Sequence, residues 1–545
     1  MSASLLSTAL HGSKKPERGW PVKDVILSID CGTQSLRSLL FSSAGELLDK
    51  AQSQYEPYFS ARPGWAEQDP EIFWRGVCET CRTIKERNPA LFERIVGVGV
   101  TSQRDSMVNV DADGAPLRPV ITWLDQRKAQ SVYVPGRLMR LAFRAVGMYE
   151  AISKGQTDGK CNWIRQYQSE IWERTHKYLQ VSGFLNYRLT GEFKDSIASQ
   201  IGHIPFDYKR MQWASKRELT SKLFPIERSK LPEVITPGER IGVVSQRAAD
   251  ETGISAGTPV IACGSDKGCE TIGMGVVNEK SASLSFGTTA TAQTTTRRYF
   301  EPLRFMPPYP APIPGHYNAE VEIFRGYWMI TWFKNEFAHK EALEAQQRGV
   351  PVEQALDELL REVPAGSMGL LVQPYWGPGL KHPEAKGAMI GFGDVHRKPH
   401  VYRAVIEGLG YALLEGLRRI EKAGKHRTER VAVSGGASQS DEICAITADI
   451  FNLPLVRGAT YETSGLGAAI VTSVGLGIHP SFDSAIKEMV KYQRTFEPNP
   501  QNVTIYRELY ERVYHKIYAA LRPLYEEIRE ITGYPERTEE PRSRV

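Results

Sequence analysis

The sequence predicts an α/β protein with at least two domains. A chain of 545 residues is longer than the size at which a single hydrophobic core keeps growing. Short apolar runs typical of buried strands recur along the chain and alternate with helical patterns, and several of them end in glycine-rich turns. Because ligands in such proteins collect at the carboxyl ends of strands, we expect those turns to carry the binding groups.

Composition excludes several classes of function. The net charge of +5 arises from 68 basic and 63 acidic residues, and neither sign forms long blocks, so we expect no nucleic-acid or membrane partner. The 41% hydrophobic and 24% charged fractions are ordinary for a soluble protein. No apolar run approaches the roughly 18 residues that span a bilayer, and residues 1–6 lack the pattern of a secretory signal. We therefore expect a cytoplasmic protein.

The cysteines and histidines predict no metal site built by the protein alone. Seven cysteines are an odd and sparse set, which fits reduced thiols. Cys78 and Cys81 form a Cys-x-x-Cys inside a helical pattern, but no second pair supplies the remaining ligands of a zinc site. The eleven histidines show no metal-binding spacing.

The first ordered elements form a predicted antiparallel meander. Residues 1–20 are polar and irregular and predict a disordered extension. A strand at residues 25–30, a turn at 31–35 and two further strands up to residue 48 complete the meander. The first turn can present N–H groups and hydroxyls to phosphate oxygens, with Asp30 positioned for Mg²⁺. An ordinary hairpin turn is the alternative interpretation.

A helix is predicted next, followed by a buried strand. Asp69 can cap the helix, and apolar residues recur on one helical face after it. The strand at residues 95–101 delivers Gln103, Arg104 and Asp105 to its carboxyl end. For Arg104 and Asp105, a surface salt bridge is an equal alternative to a binding role.

One carboxylate, Asp266, follows the short strand at residues 259–261. It lies on a predicted glycine-lined turn, and we interpret it as the catalytic base. An aspartate in such a turn commonly bonds its own backbone, which is the alternative. The neighbouring Lys267 can lower the pKa of Asp266 or contact phosphate, but a solvent-facing lysine is the expectation that residue statistics favour.

The second half of the chain repeats the opening pattern. A strand at 283–286 leads through a Gly-Thr-Thr turn into a strand at 290–293, which predicts an internal duplication with two hairpins facing the phosphates. A strand at 431–434 leads through Gly-Gly-Ala into a helix, and its glycines allow a flat ligand to approach closely. A plain strand-to-helix turn is the alternative.

Four further segments predict structural features and not binding groups. Residues 301–314 are proline-rich and predict a surface excursion, and residues 462–469 begin a helix whose small side chains permit close packing. Residues 502–531 predict one long helix, and the charged tail from residue 535 is expected to be loose.

In chain order, these motifs resemble the FGGY carbohydrate kinases, which belong to the ATPase superfamily of actin, hexokinase and the Hsp70 chaperones. The resemblance runs from Val25 to about Gly477. The motifs that carry it are residues 29–37, 63–70, 102–104, 123–127, Asp266, 285–289 and 435–437. Residues 155–166 resemble one family signature, with Cys161 where a larger apolar residue is usual, and residues 387–392 with 400–407 resemble the other.

The resemblance implies two ribonuclease-H-like (actin-like ATPase) domains with a cleft between them. It implies an N-terminal domain over residues 21–272 for the sugar and the first phosphate turn, and a C-terminal domain over 273–533 for the nucleotide. The extension 1–20 and the tail 534–545 lie outside both. The implied activity is phosphorylation of a sugar or polyol hydroxyl by ATP with Mg²⁺ and with Asp266 as base. Dimers are frequent in the family, so a homodimer is one expectation.

The resemblance also implies a set of binding residues. The implied nucleotide contacts come from the two hairpins, a helix start and the Gly-Gly-Ala turn: Gly32, Thr33, Gln34, Ser35, Arg37, Gly287, Thr288, Thr289, Gly326, Gly435, Gly436, Ala437 and Ser440. Asp30 is the implied Mg²⁺ ligand. The implied sugar contacts are Trp65, Gln103, Arg104, Asp105, Gln156, Asp266 and Lys267.

The motifs near Asp105 are compatible with more than one acceptor. Gln103-Arg104-Asp105 resembles the Gln-Arg-Glu of glycerol kinases, whereas xylulose kinases usually carry Met-His there. The tyrosine that glycerol kinases place nearby is replaced by Gly155. We expect a small open-chain polyol or ketose, with glycerol specifically as an alternative. The retained carboxylates and Gly-Thr turns disfavour a non-catalytic sugar-responsive protein, and the sequence beyond residue 500 offers no separate domain for a chaperone-like machine.

Overall fold

The computed structural model describes residues 24–145, 148–303, 306–376 and 384–534. The predicted extension at residues 1–20 and the predicted tail from residue 535 lie outside the described residues. Among the described helices, none combines the length and the apolar character required to cross a bilayer.

Up to Gly273 the described chain alternates strands and helices. The strands are β1 (Val25–Cys31), β2 (Ser35–Ser42), β3 (Leu47–Gln54), β4 (Glu67–Gln68), β5 (Ile95–Ser102), β6 (Met107–Val110), β7 (Val120–Ile121), β8 (Lys177–Gln180), β9 (Lys194–Ser196), β10 (Phe206–Asp207), β11 (Gln212–Trp213), β12 (Glu233–Ile235), β13 (Arg240–Val243) and β14 (Pro259–Ile261). The helices are α1 (Glu71–Arg87), α2 (Pro89–Phe92), α3 (Arg137–Ala145), α4 (Tyr149–Asp158), α5 (Lys160–Tyr167), α6 (Ser169–Arg174), α7 (Val181–Thr190), α8 (Leu219–Leu223), α9 (Gln246–Thr252) and α10 (Asp266–Gly273).

The rest of the chain builds a second sheet and its helices. The strands are β15 (Ser281–Phe286), β16 (Ala290–Thr296), β17 (Tyr309–Pro310), β18 (Tyr317–Ile323), β19 (Leu371–Gln373), β20 (Ala388–Ile390), β21 (Arg430–Ser434), β22 (Leu455–Gly458) and β23 (Tyr492–Phe496). The helices are α11 (Trp328–Phe337), α12 (His339–Arg348), α13 (Val352–Arg361), α14 (Lys398–Gly424), α15 (Asp441–Phe451), α16 (Thr463–Gly475), α17 (Phe482–Met489), α18 (Pro500–Leu509) and α19 (His515–Thr532).

The two large sheets share one plan. The first has the order β13-β14-β5-β1-β2-β3, and the second has the order β17-β18-β16-β15-β21-β22-β23. In each, an antiparallel meander is followed by two parallel strands and an antiparallel edge strand. The sheets differ in the chain order of the last two strands and in β17, which extends the meander of the second sheet by one strand. This common plan matches the strand, Gly-Thr, strand echo in the sequence.

Each sheet is covered on both faces, which explains the continuous apolar runs of its central strands. Every residue of β1 is buried, as is every residue of β15. The predicted face of α1, including Phe73, Val77 and Cys81, is buried in the core around the first sheet. Helix α14 lies in the core around the second sheet.

Helix α16 packs unusually close to α10, as its small residues predict. A Cβ added at Gly467 would lie 1.9 Å from the carbonyl oxygen of Cys269, and one at Gly273 would lie 2.0 Å from that of Thr463. Larger residues at these positions would push the two helices apart. The contact therefore fixes α10 against a helix that also packs on β1 and β5.

Three predicted elements differ from the structure. The stretch after β14 is not a glycine-lined turn, because Asp266 is the first residue of α10. Residues 308–313 are not a surface excursion, because they are mostly buried and include β17, which pairs with β18. The long helix at 502–531 is divided into α18, a π-helical turn at Tyr510–Tyr514, and α19.

Candidate active site

Asp266 begins α10 at the carboxyl end of the first sheet. Ser265 caps the helix, since its Oγ accepts a hydrogen bond from the Gly268 N–H at 3.3 Å. Ser265 also forms a parallel bridge with Ser102 at the end of β5. The cap and the bridge hold the start of α10 beside β1, which carries Asp30, and beside the end of β5, which Arg104 follows.

Burial and neighbouring charges act on Asp266 in opposite directions. Burial raises the pKa of its carboxyl group above the ordinary value, whereas Arg104 and Lys267 lower it. The Lys267 N–H donates to Asp266 Oδ1 at 2.8 Å. A carboxylate whose pKa lies above that of an ordinary aspartate is a better proton acceptor for an alcohol.

Lys267 does not face solvent, contrary to our expectation. Its ammonium group pairs with Glu270 Oε2 at 2.7 Å and donates to Ser285 Oγ at 2.8 Å. The other oxygen of Glu270 accepts hydrogen bonds from Ser285 Oγ at 2.9 Å and Ser434 Oγ at 2.5 Å. Glu270 thus ties α10 to the ends of β15 and β21. Its ion pair with Lys267 holds the pKa of the Glu270 carboxyl group below its usual value.

Asp30 is the penultimate residue of β1 and shares its surroundings with three other carboxylates. Burial raises the pKa of Asp30 to about 7, with Arg37 opposing this and Asp266, Glu462 and Glu270 adding to it. Arg37 Nη1 lies 3.5 Å from Asp30 and 3.4 Å from Glu462. The Asp30 and Asp266 side chains are therefore close enough to repel each other, as two groups of one site would.

The first hairpin is fixed from outside by side chains. The Thr33 hydroxyl donates to Gln103 Oε1 and accepts from Trp123 Nε1, both at 2.9 Å. Tyr55 OH donates to the Gly32 carbonyl at 2.8 Å. Gln103, predicted as a sugar contact, is used here to hold the hairpin, while Gln34 at the tip is exposed and Ser35 begins β2.

The second hairpin lies against the start of α11. The Tyr327 N–H donates to the Gly287 carbonyl at 3.0 Å, and Thr289 Oγ1 donates to the Phe324 carbonyl at 3.3 Å. Thr288 at the tip is exposed. Gly326 is required by packing, because a Cβ there would lie 2.3 Å from the Ala290 nitrogen.

The Gly-Gly-Ala turn follows β21. Gly435 has φ +87°, and a Cβ there would lie 2.7 Å from the carbonyl carbon of Phe286, whereas a Cβ at Gly436 would meet nothing within 4 Å. Ala437 is partly buried in the turn, and Ser440 caps α15 by accepting from the Ile443 N–H at 3.1 Å. The turn is thus pressed against β15 on one side and open on the other.

Arg104 joins the two halves of the molecule. Its Nη1 and Nη2 donate to the two oxygens of Glu320 on β18 at 3.1 and 3.0 Å, and its guanidinium lies 5.4 Å from the ring centre of Tyr309. Gln293 also donates to Glu320. The predicted sugar contact is therefore already in a bidentate ion pair across the cleft.

Three further predicted sugar contacts are engaged by the protein itself. Asp105, in the left-handed region with φ 53°, lies 2.5 Å from Lys160 Nζ and 2.9 Å from His203 Nδ1, and both lower its pKa. Gln156 bonds the backbone of residues 132–133 through both ends of its amide. Trp65 stacks under the Arg127 guanidinium at 3.8 Å.

Metal-binding capacity at the site is limited. Among the residues that the structure describes, no group of three or more His, Cys, Asp or Glu side chains is arranged to hold a metal ion. Asp30 offers one carboxylate beside the first hairpin. Mg²⁺ in nucleotide sites is commonly held by one or two carboxylates, phosphate oxygens and water, so these residues fit an ion that arrives with ATP.

Family models decide the classification. The N-terminal domain of the FGGY family of carbohydrate kinases matches residues 25–273, and the C-terminal domain matches residues 282–476. The chain belongs to the FGGY family of carbohydrate kinases. It is a phosphotransferase with an alcohol group as acceptor, and the fold is the two-domain actin-like ATPase fold.

Relatives of this FGGY kinase cover nearly its whole length. It is 28% identical over 503 residues to a xylulose kinase of Lactococcus lactis, which covers 90% of this chain and 96% of the relative. It is 26% identical over 496 residues to a gluconokinase of Bacillus subtilis, covering 89% and 94%. The solved gluconate kinase of Lactobacillus acidophilus has a TM-score of 0.79 at 22% identity, covering 93% and 99%.

The site of this FGGY kinase contains residues that sequence reasoning missed. Glu270 lies four residues after Asp266, a helical spacing that would have identified it if the start of α10 had been recognised. Lys160 lies inside the first family signature, but the sequence did not indicate that it pairs with Asp105. Glu320 on β18 could not be identified from the sequence, because its partner Arg104 is 216 residues away, and no motif pointed to Glu322 on the same strand.

Proposed function

We propose that this kinase transfers the γ-phosphate of ATP to a terminal hydroxyl of a small open-chain sugar or polyol, with Asp266 as general base. The observation that carries the proposal is the position of Asp266. It lies at the start of α10, partly buried and within electrostatic reach of Arg104, and Glu270 ties the helix to the ends of β15 and β21.

The chemistry follows from that position. An alcohol is a weak nucleophile at neutral pH, so a carboxylate within reach of its proton assists the attack. Asp266 accepts the proton as the hydroxyl oxygen bonds to the γ-phosphorus, and the bond from that phosphorus to the bridging oxygen of ADP breaks. The helix cap and the close α10 and α16 contact hold the carboxylate in register, which is a large part of catalysis in phosphoryl transfer.

The two hairpins and the Gly-Gly-Ala turn are the proposed nucleotide site. The N–H groups of Thr33, Gly287 and Thr288 face phosphate oxygens, whereas the Gly32 N–H donates to the Ser35 carbonyl at 2.9 Å and shapes the turn. Gly436 leaves open space for the adenosine. Arg37 contributes positive charge, and Asp30 holds Mg²⁺ with ATP. When bound, Mg²⁺ neutralises charge that develops on the phosphate oxygens.

Support for a glycerol-specific site is weak. The side chains of Gln103, Arg104 and Asp105, which resemble the glycerol-kinase contacts, all bond groups of the protein. Relatives named as xylulose kinases and gluconokinase point instead to acceptors with longer carbon chains. We therefore favour an open-chain acceptor longer than glycerol.

The test is ADP release with Mg-ATP across glycerol, erythritol, ribitol, xylulose, ribulose and sorbitol. We expect one of the longer acceptors to exceed glycerol in kcat/KM. Equal or better turnover of glycerol would contradict the acceptor class, and no turnover of any acceptor would contradict the proposed function.

A further inference from the structure

The positive charges near Asp266 are already neutralised within the site. Arg104 and Lys267 are the two cations that act on both the Asp266 and the Glu322 carboxyl groups. Both terminal nitrogens of Arg104 donate hydrogen bonds to Glu320, and the Lys267 ammonium group pairs with Glu270 at 2.7 Å. Both cations are therefore already paired with a carboxylate of the protein.

The Arg104–Glu320 bridge is held in place from the second sheet. Gln293 donates to Glu320, and Thr271 on α10 donates to the oxygen of the same Gln293 amide. Glu320 is buried. Rotating Arg104 away to bind a ligand would leave this carboxylate buried and unpaired, which is costly.

Glu322 is a second carboxyl group that faces the same space. It lies two residues after Glu320 on β18, so both side chains project from one face of the strand. Within the described ranges, the Glu322 side chain makes no hydrogen bond and no ion pair, although the residue is partly buried. Burial and repulsion from Glu320 raise the pKa of Glu322 to about 7, so both its protonated and ionised forms are available to bond a hydroxyl.

We propose that Glu322 binds a hydroxyl of the acceptor, and that Glu322 and the Arg104–Glu320 bridge together restrict this kinase to uncharged polyols and sugars. The inference rests on the proposed function and names its acceptor class. An aldonate would bring a carboxylate beside Asp266, Glu320 and Glu322, where Arg104 and Lys267 are already paired with Glu320 and Glu270. The hydration that the aldonate carboxylate loses would then be poorly compensated. A hydroxymethyl group at the same carbon carries no such penalty and can bond Glu322.

Matched acceptors separate charge from chain length. Sorbitol and gluconate, and ribitol and ribonate, each differ by one hydroxymethyl group against one carboxylate. For the wild-type protein, we expect kcat/KM for the polyol to exceed that for its aldonate by roughly 100-fold, because like charges juxtaposed in a binding site are strongly disfavoured.

Three variants test the assigned residues. Glu320→Gln removes the partner of Arg104, and we expect it to shift the polyol to aldonate ratio toward the aldonate by about 10-fold. Glu322→Ala should raise KM for the preferred uncharged acceptor by about 5- to 10-fold with a smaller change in kcat, and Glu322→Gln should restore most of it. Glu336→Gln, an exposed charge change on α11, is the control and should match the wild type.

The outcomes are distinguishable. ADP release with aldonates at rates equal to their polyols overturns the inference but leaves the kinase and its base intact. An unchanged KM in Glu322→Ala overturns the role of Glu322, whether or not Glu320→Gln folds. Absence of ADP release with every acceptor removes the proposed function and this inference together.

Discussion

Replacing Gly435 with alanine should damage the Gly-Gly-Ala turn, whereas the same change at Gly436 should not. Gly435 has φ +87°, and an added Cβ would lie 2.7 Å from the carbonyl carbon and 2.8 Å from the carbonyl oxygen of Phe286. Both atoms belong to the backbone of β15, a strand with neighbours on both sides. Neither can shift without disturbing the second sheet.

The expected cost combines two effects. A non-glycine residue in a sparsely populated backbone region costs about 1–3 kcal/mol, and overpacking of a close contact costs about 1–3 kcal/mol. Because relaxation of the turn relieves part of both, we expect the free energy of unfolding of Gly435→Ala to fall by about 2–4 kcal/mol. KM for ATP should rise as well, because the relaxed turn moves away from β15.

Urea denaturation and ATP titration of the kinase reaction measure both effects. Gly436→Ala is the matched control, because its Cβ would meet nothing within 4 Å. Its free energy of unfolding should stay within about 0.5 kcal/mol of the wild type. KM for ATP should still rise in this variant, because the methyl group occupies the space proposed for adenosine. Equal unfolding free energies for the two variants would refute the argument from crowding.

Two further predictions concern helix α10. Gly467→Ala should lower the free energy of unfolding by about 1–3 kcal/mol, since its Cβ would lie 1.9 Å from the Cys269 oxygen. The control Gly155→Ala, a helical position with nothing within 4 Å, should instead be neutral or stabilising in urea denaturation. The acid limb of kcat/KM should have its midpoint above the ordinary aspartate pKa, because burial raises the pKa of Asp266 and activity falls as that group protonates. Lys267→Met should move this midpoint to still higher pH, and a limb at or below the ordinary value in both proteins would contradict the assignment.

Local chemistry made much of the fold predictable. The hairpins after β1 and β15 carry Gly-Thr turns, and the strands around them are continuous apolar runs, so their positions followed from the sequence. The start of α10 was missed because Gly-Ser-Asp-Lys-Gly has the composition of a turn. The cap formed by Ser265 and the apolar Cys269 and Ile272 one helical turn apart were the signals available for it.

The partners of charged side chains were not predictable in the same way. Arg104 and Glu320 are 216 residues apart, and their pairing depends on how the two sheets face each other. Lys267 was expected in solvent because most lysines are exposed, and only the position of Glu270 beside Ser285 and Ser434 makes its burial favourable. The positions of the two Gly-Thr hairpins were thus predictable from local sequence, and the ion pairs around Asp266 were not.

The role of Asp266 is tested most directly by Asp266→Asn. The amide keeps the size and the helix start but cannot take the proton, so kcat with the preferred acceptor should fall by about 10²- to 10⁴-fold. The dissociation constant for Mg-ATP, measured by calorimetry, should stay within about threefold, because the phosphate turns are unchanged. A variant that binds ATP normally and retains kcat within about tenfold of the wild type would contradict the assignment of Asp266 as the base.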